Sequence, residues 1–203
     1  HLVVSNVGLL CERKGQIYGI EAIARLIEDV PGITLALLGR TDLTQYVHKL
    51  EQQTAALGLK KHVRILGFRN DIPRFLVGSD ILLHTALADP NPRAVIEGMA
   101  AALPVVGFAV DGVNEQVVDD ETGYLVNASN VDDLADRLRR LMIDETLRKQ
   151  MGQAGKARVK ALYTAEKSAS KVEALLATVL PGHDTTQPHL PVLKKHPGRQ
   201  RPS

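Results

Sequence analysis

The feature that most constrains this chain is a regular alternation of short apolar runs with longer amphipathic segments. The apolar runs read as buried strands and lie at residues 2–10, 33–39, 62–67, 80–86, 103–110 and 123–126. The amphipathic segments carry apolar residues at helical spacing and lie at residues 16–28, 43–57, 72–77, 93–102, 131–142, 145–162 and 165–180. This alternation predicts an α/β, Rossmann-like fold, with a parallel sheet of about six strands and helices on both faces.

The composition agrees with this fold and excludes several classes of function. Aromatic residues make up only 3% of the chain, which argues against a nucleic-acid module built on stacked aromatic side chains. The formal net charge is +2, but residues 181–203 carry +3, so the remainder carries −1 and offers no basic nucleic-acid surface. Cys11 is the single cysteine, which excludes internal disulfides and fits a reducing compartment. No apolar run reaches membrane-spanning length, and there is no signal-peptide pattern.

The sequence predicts one domain at residues 1–180, followed by a tail at residues 181–203. The tail holds half of the ten prolines and three of the seven histidines, a composition typical of a disordered or artificial extension. The chain starts with His1 directly in its first predicted strand. We therefore expect it to be part of a longer protein whose N-terminal domain is absent.

The loops that follow the predicted strands are the candidate binding sites, because parallel α/β sheets bind ligands outside the carboxyl ends of their strands. After the first strand, Arg13, Lys14 and Gly15 stand at the start of a predicted helix. A helix N-terminus carries partial positive charge, so two cations there are unfavourable unless an anion binds between them. The alternative, that both side chains extend into water, remains open at this point.

The loop after the fourth strand presents the same arrangement. Pro92 is predicted at the first helical position and Asn91 as the N-cap residue. This placement leaves the N–H groups of Arg93 and Ala94 free, with a cation beside them. A second strand-end helix with misplaced positive charge strengthens the prediction of a bound anion.

Two carboxylates flank this second turn. Asp89 precedes it, and Glu97 follows it among apolar residues of the predicted helix. Carboxylates accept hydrogen bonds, as recognition of sugar hydroxyls requires. We therefore favour a binding role for both, over the alternative that Asp89 only ends the loop and Glu97 points to solvent.

Other features carry less information. Gly112 permits a tight turn after the fifth strand, and Glu115 is either a ligand contact or an acid near the start of a short helix. His62 and His84 lie in strand-like segments, where packed, hydrogen-bonded histidines are expected. The chain has no P-loop, no dinucleotide-binding glycine motif, no nucleophile elbow and no His/Cys cluster before the tail, so no metal site is predicted.

Five segments follow one another with natural spacing: VGLLCERKG, LALLG, VRILGF, DPNPRAVIEGMAAALPVV and DGVNEQVVDDETGYLV. Together they resemble one family, the C-terminal, donor-binding domain of retaining GT-B glycosyltransferases, family 4-like (glycosyl transferases group 1), and the resemblance covers residues 3–163. The five segments resemble, respectively, the family patterns V-G-R-L-x-x-x-K-G, L-x-I-V-G, V-x-F-L-G, E-x-F-x-x-x-x-x-E-A-M-A-x-G-x-P-V-V and G-G-x-x-E-x-V-x-D-G-x-T-G-x-L-V.

The resemblance implies a role for each candidate residue, with catalysis assigned to Lys14, Asp89 and Glu97. The implied contacts are Arg13, Lys14, Gly15, Arg93 and Ala94 to the donor diphosphate, Asp89 and Asn91 to the donor sugar, Glu97 to the ribose, and Gly39, Gly67, Phe68, Arg69 and Gly112 to the base or to the loops around it. Two departures matter: Leu9 replaces the usual Arg after the first Gly of the pattern, and Asp89 replaces a Glu.

The implied activity is transfer of a sugar, with retention, from a UDP-sugar rather than a GDP-sugar to a glycan or lipid-linked acceptor. The family implies polysaccharide or lipopolysaccharide biosynthesis, no metal or cofactor, and a cytoplasmic location at the inner face of the bacterial inner membrane. We expect the chain alone to bind nucleotide weakly and to catalyse nothing. The two departures leave open a non-catalytic nucleotide-sugar-binding module, and a sugar-nucleotide epimerase of the same fold remains a further alternative.

Overall fold

The computed structural model describes residues 1–179 of the chain. The strands are β1 (Leu2–Val7), β2 (Ile33–Leu38), β3 (Val63–Gly67), β4 (Ile81–His84), β5 (Val105–Phe108) and β6 (Gly123–Val126). The α-helices are α1 (Gln16–Ala24), α2 (Thr44–Ala56), α3 (Ile72–Val77), α4 (Arg93–Ala100), α5 (Val113–Gln116), α6 (Val131–Ile143), α7 (Glu145–Leu162) and α8 (Ala165–Val179). A short 3-10 helix, Glu12–Lys14, precedes α1 and was not predicted.

All six strands run parallel, in the order β3-β2-β1-β4-β5-β6. The chain builds outward from β1 to β3, then crosses back to place β4 on the other side of β1. The direction of winding therefore reverses between β1 and β4, and sheets of this kind bind ligands in the crevice outside the carboxyl ends of the two strands at such a point. The predicted Rossmann-like parallel sheet is confirmed.

The core lies on both faces of the sheet, as expected for buried parallel strands. On one face, α1 and α6 pack against alternate strand residues such as Leu35 and Leu83. On the other face, α4 and α5 cover Leu82 and Val105. Gly98 of α4 lies directly over Leu82, where a larger side chain would overlap the Leu82 side chain. Both faces thus hold the carboxyl ends of β1 and β4 in fixed positions.

The described chain divides into two compact units, His1–Thr164 and the residues from Ala165 onward. The whole sheet belongs to the first unit, and the described part of the second is helix α8 alone. The tail at residues 181–203 lies outside the described residues, and the domain limit at residue 180 stays a prediction. Within residues 1–179, no helix combines the length and apolarity needed to cross a membrane.

Candidate functional site

The candidate site lies at the crevice between the loops that follow β1 and β4. Three hydrogen bonds join these loops: Leu87 N–H to the Arg13 carbonyl (2.8 Å), Thr85 Oγ1 to the Lys14 carbonyl (3.2 Å), and Arg13 Nη1 to the Ala88 carbonyl (2.6 Å). The Arg13 side chain therefore ties the two loops together. The two segments that the sequence marked separately form one structural unit.

Gly15 makes this close approach of the loops possible. It adopts a left-handed conformation, with φ of 60°, as the N-cap residue of α1. A Cβ atom at this position would overlap the carbonyl oxygen of Thr85, so the position requires glycine on two grounds. The predicted start of the helix at Gln16 is confirmed, although α1 ends at Ala24 and not at Glu28.

Lys14 and Asp89 form an ion pair across the crevice. Lys14 Nζ donates to Asp89 Oδ2, and the two side chains are 15% and 11% exposed. The aliphatic part of Lys14 lies over Gly8, at the carboxyl end of β1. The sequence implied two separate roles for these residues, and the structure places them in direct contact.

His84 also lies close to this oxygen of the Asp89 carboxylate. It is the last residue of β4, is 3% exposed, and places Nε2 3.1 Å from Asp89 Oδ2. The distance allows a hydrogen bond, and whether Nε2 can donate one to the carboxylate depends on which ring nitrogen carries the proton. One buried carboxylate oxygen therefore faces an ammonium group and an imidazole.

The backbone of Asp89 is held by the loop after β5. Its N–H donates to Asp111 Oδ2 (2.8 Å), and its carbonyl accepts from Gly112 N–H (3.2 Å). Gly112 packs so closely on Pro90 that a Cβ atom would overlap the Pro90 carbonyl oxygen. Three strand-end loops thus meet at Asp89.

These contacts change the acidity of Asp89. His84 and Lys14, acting against the opposing effect of burial, lower the pKa of the Asp89 carboxyl to about 2. The carboxylate is therefore ionised at any pH at which the protein is expected to work. Its negative charge is a fixed element of the site.

We expect the ionised Asp89 carboxylate, which His84 and Lys14 stabilise, to contribute to stability above about pH 4 and to lose that contribution as the pH falls to about 2. The pKa is depressed in the folded chain, so the unfolded chain binds the proton more readily across this window. The difference from the ordinary value corresponds to about 2 kcal/mol in the free energy of unfolding. Urea unfolding of the wild type and Asp89→Asn at pH 4.5 and pH 2 measures it.

Asp132→Asn is the matched control, because Asp132 pairs with Arg25 at 83% side-chain exposure. Exposed pairs contribute little to stability, so this variant should lose stability with acid as the wild type does. The Asp89→Asn variant should lose about 2 kcal/mol less over the same interval. An equal loss in wild type and Asp89→Asn would contradict the assignment.

The start of α4 differs from the prediction. Pro92 occupies the N-cap position in an extended conformation, and Arg93 is the first helical residue, so the predicted places of Asn91 and Pro92 were wrong by one residue. The Asn91 side chain instead accepts a hydrogen bond from Gln116 Nε2 (3.0 Å) of α5. The carbonyl of Pro92 accepts from Val95 N–H (3.0 Å), so the N–H groups of Arg93 and Ala94 precede the first hydrogen bond of the helix.

Glu97 lies one turn inside α4, further from the helix start than Arg93. Its side chain is 40% exposed and approaches Arg93 at 4.0 Å, an ion pair on the helix surface. It lines a cavity of about 260 Å³ with residues of α3 and the end of α4. No contact of the described chain joins Glu97 to Lys14 or Asp89 directly. Its implied role at the ribose therefore stays a prediction.

A second cavity, of about 310 Å³, opens at the carboxyl ends of β1, β2 and β3. Its lining includes Gly8, Gly39, Phe68 and Arg69. Because the Lys14 stem lies over Gly8, this cavity adjoins the ion pair. The structure therefore brings together three of the five residues predicted to contact the base or the loops around it.

The other two of these five residues, Gly67 and Gly112, do not line the cavity. Gly67 precedes Phe68 with φ of 69° and turns the chain at the end of β3. Gly112 instead supports the backbone of Asp89. Arg69 is itself held by a bidentate ion pair with Asp71 (2.8 and 2.7 Å), which raises the pKa of Arg69 and lowers that of Asp71.

Sequence reasoning missed two residues of the site. His84 was read as a packed strand histidine, yet its Nε2 faces Asp89; its position at the end of β4 was the available signal. Asp111 was not considered, although it accepts the Asp89 N–H; its position directly before Gly112 in the turn was the available signal. Within residues 1–179, no three His, Cys, Asp or Glu side chains are grouped to hold a metal ion.

The strand order and the crevice between β1 and β4 define a Rossmann-like domain of the GT-B architecture. The family model of the glycosyl transferases group 1 matches residues 2–158, and the chain belongs to this family. The chain is 31% identical over 153 residues to the lipopolysaccharide core biosynthesis glycosyltransferase LpsE of Rhizobium meliloti (strain 1021), which covers 75% of this chain and 43% of that protein.

Two solved structures are similar in fold. Anabaena Alr3699/HepE in complex with UDP and glucose superposes with a TM-score of 0.83 at 27% identity, over 88% of this chain and 48% of that one. The C-terminal domain of the glycosyl transferase group 1 family protein LpcC from Francisella tularensis superposes with a TM-score of 0.75 at 28% identity. The superposition covers 81% of this chain and 87% of that one. The chain spans about two fifths of the length of the curated relatives it matches.

Proposed function

We propose that this chain is the donor-binding domain of a retaining glycosyltransferase. The whole protein would transfer a sugar from a nucleotide sugar to a glycan or lipid-linked acceptor, with an N-terminal domain that supplies the acceptor site. The observation that carries this proposal is the Lys14–Asp89 pair at the crevice between β1 and β4. Cation and carboxylate are held there by three loops, beside the free N–H groups at the start of α4.

In this proposal, Lys14 binds the donor diphosphate at the mouth of the crevice. A lysine ammonium is a compact charge that suits a phosphate oxygen, and the start of α4 offers the N–H groups of Arg93 and Ala94. Negative charge develops on the diphosphate as the bond to the sugar breaks. Fixed positive groups at that point lower the barrier, and we propose that they do so without a metal or a cofactor.

Asp89 would face the donor sugar, and the cavity beside Gly39 and Phe68 would take the base. The volume of about 310 Å³ is at the lower end of the range for small-molecule sites. Phe68 is 65% exposed at the rim, which leaves its ring free to cover a base. We propose UDP rather than GDP, supported by the similar HepE structure, whose complex contains UDP and glucose.

A curated relative supports a proposal about the biological setting. The similar LpsE protein is described as a lipopolysaccharide core biosynthesis enzyme. We propose a role in envelope polysaccharide or lipopolysaccharide synthesis, at the cytoplasmic face of the membrane.

The test of the donor site is a calorimetric titration of the chain with UDP, GDP and ADP. We expect one nucleotide to bind selectively and Glu97→Ala to weaken it by about tenfold, because a carboxylate that accepts ribose hydroxyls contributes about 1.5 kcal/mol. Glu145→Ala is the matched control, since Glu145 forms the same type of i,i+4 pair, with Lys149, on α7. Equal affinities in wild type and Glu97→Ala would remove Glu97 from the site.

The longer protein separates the alternative functions. Release of free nucleotide together with a glycosylated acceptor would support a transferase, whereas an isomerised donor would indicate an epimerase. Tight nucleotide binding without either reaction would indicate a binding module. A product with inverted anomeric configuration would contradict the retaining mechanism.

A further inference from the structure

A buried histidine at the candidate site has no function in the mechanism above. His84 is 3% exposed, and its Nε2 lies 3.1 Å from Asp89 Oδ2, the same oxygen that accepts from Lys14. Histidine is the side chain whose charge ordinarily changes near neutral pH. An anionic ligand that binds Lys14 would change the charge next to His84.

Lys14 supplies the counter-charge of Asp89. A second positive charge on His84 would then lack a negative partner of its own, in a place where charges are costly to bury. A diphosphate that engages Lys14 changes this balance, whether Lys14 leaves Asp89 or bridges both anions. In either case the buried site gains negative charge that Lys14 no longer neutralises.

We propose that binding of the sugar nucleotide drives a proton from solvent onto His84. The resulting imidazolium replaces Lys14 as the partner of Asp89, because protonated histidine carries N–H groups on both ring nitrogens and Nε2 then faces the carboxylate as a donor. His84 is thus a positioning residue that keeps Asp89 in place and paired while Lys14 binds phosphate. The inference rests on the proposed donor site.

The surroundings leave His84 as the acceptor of this proton. A carboxyl ordinarily releases its proton at a much lower pH than an imidazolium does, so near neutral pH the proton goes to His84 and Asp89 stays ionised. The helices that cover the Leu82 face of the sheet carry charged residues that are all partly or fully exposed: Arg74 on α3, Arg93 and Glu97 on α4, and Glu115 on α5. Asp111, from the loop after β5, is also exposed and accepts the Asp89 N–H.

The other histidines in residues 1–179 lie away from the site. His1 contacts Thr34 near the start of β2, and His62 Nδ1 lies 3.0 Å from the carbonyl of Ile33, at the amino ends of the strands. His48 is an exposed residue of α2. It provides a control, because its loss should not alter ligand-linked protonation.

The experiment is calorimetry of the 203-residue chain with UDP-glucose and with GDP-mannose, in buffers of different ionisation enthalpy. These probes are esterified at both ends of the diphosphate, so no phosphate group of the ligand titrates near neutral pH. We expect a net proton uptake between pH 6.5 and 8, with affinity falling up to about tenfold per pH unit where uptake is complete. Uptake should vanish in His84→Gln and persist in His48→Gln.

Imidazole ¹⁵N shifts of His84 provide a measurement that needs no variant at the buried position. They should change from neutral to protonated values on addition of the sugar nucleotide at pH 7.5. Binding without proton uptake, or uptake that persists in a folded His84→Gln chain, would overturn the inference and leave the donor site standing. If neither probe binds, the proposed donor site fails and the inference fails with it.

Discussion

Replacing Lys14 with Ala should weaken nucleotide diphosphate binding by about 10- to 100-fold, the effect of losing a charge-assisted hydrogen bond worth about 1.5–3 kcal/mol. Lys14 reaches the crevice because its stem lies over Gly8 and its ammonium group is held by Asp89. Its loss removes the cation proposed to meet the diphosphate and leaves Asp89 with His84 alone. Calorimetric titration of the variant with UDP and UDP-glucose measures the effect.

Lys49→Ala is the matched control for this prediction. Lys49 also pairs with a carboxylate, Glu12 at 2.9 Å, and lies on α2 with 52% side-chain exposure. Because exposed ion pairs contribute little, this variant should bind nucleotide within about twofold of the wild type. A Lys14→Ala chain that unfolds normally in urea and binds as well as Lys49→Ala would exclude Lys14 from the donor site.

Gly39→Ala should lower the free energy of unfolding by about 3 kcal/mol, at the upper end of the usual cost of overpacking. Gly39 follows β2, and a Cβ atom there would overlap the carbonyl oxygen of Gly8. Both groups belong to the backbone, so no side-chain rotation relieves the clash. The ends of β1 and β2 are also joined by a hydrogen bond from Gly8 N–H to the Leu38 carbonyl (2.9 Å).

The measurement is thermal unfolding, with an expected fall in Tm of roughly 6–12 °C. Gly32→Ala is the control, since its nearest neighbour is His1 Cα at 3.6 Å, an ordinary contact. That variant should stay within about 0.5 kcal/mol of the wild type. A Gly39→Ala chain as stable as Gly32→Ala would show that the loops after β1 and β2 separate without cost.

The fold could be predicted because its signals are local and repeated. Aliphatic runs such as 33–39 have few alternatives to a buried strand when helices separate them. Helix α7 begins and ends where the periodicity predicts, at Glu145 and Leu162. The 3-10 helix Glu12–Lys14 could not be predicted, because three residues carry no periodicity.

The candidate site was predicted in part. The loops with Lys14 and Asp89 were both found, because cations at two helix starts conflict with the helix dipole. The direct contact between these residues, 75 positions apart, depends on β4 lying beside β1. No local pattern encodes that neighbour relation.

By itself, the sequence determined the class of fold, the family and the loops in which the candidate binding residues lie. These properties depend on periodicity and on short motifs, which are visible without any neighbour in space. Only the tertiary structure decided that Lys14 and His84 share one oxygen of Asp89, and that Asp111 and Gly112 support the backbone of Asp89. Those contacts exist because the crossover after β3 brings the carboxyl ends of β1, β4 and β5 side by side.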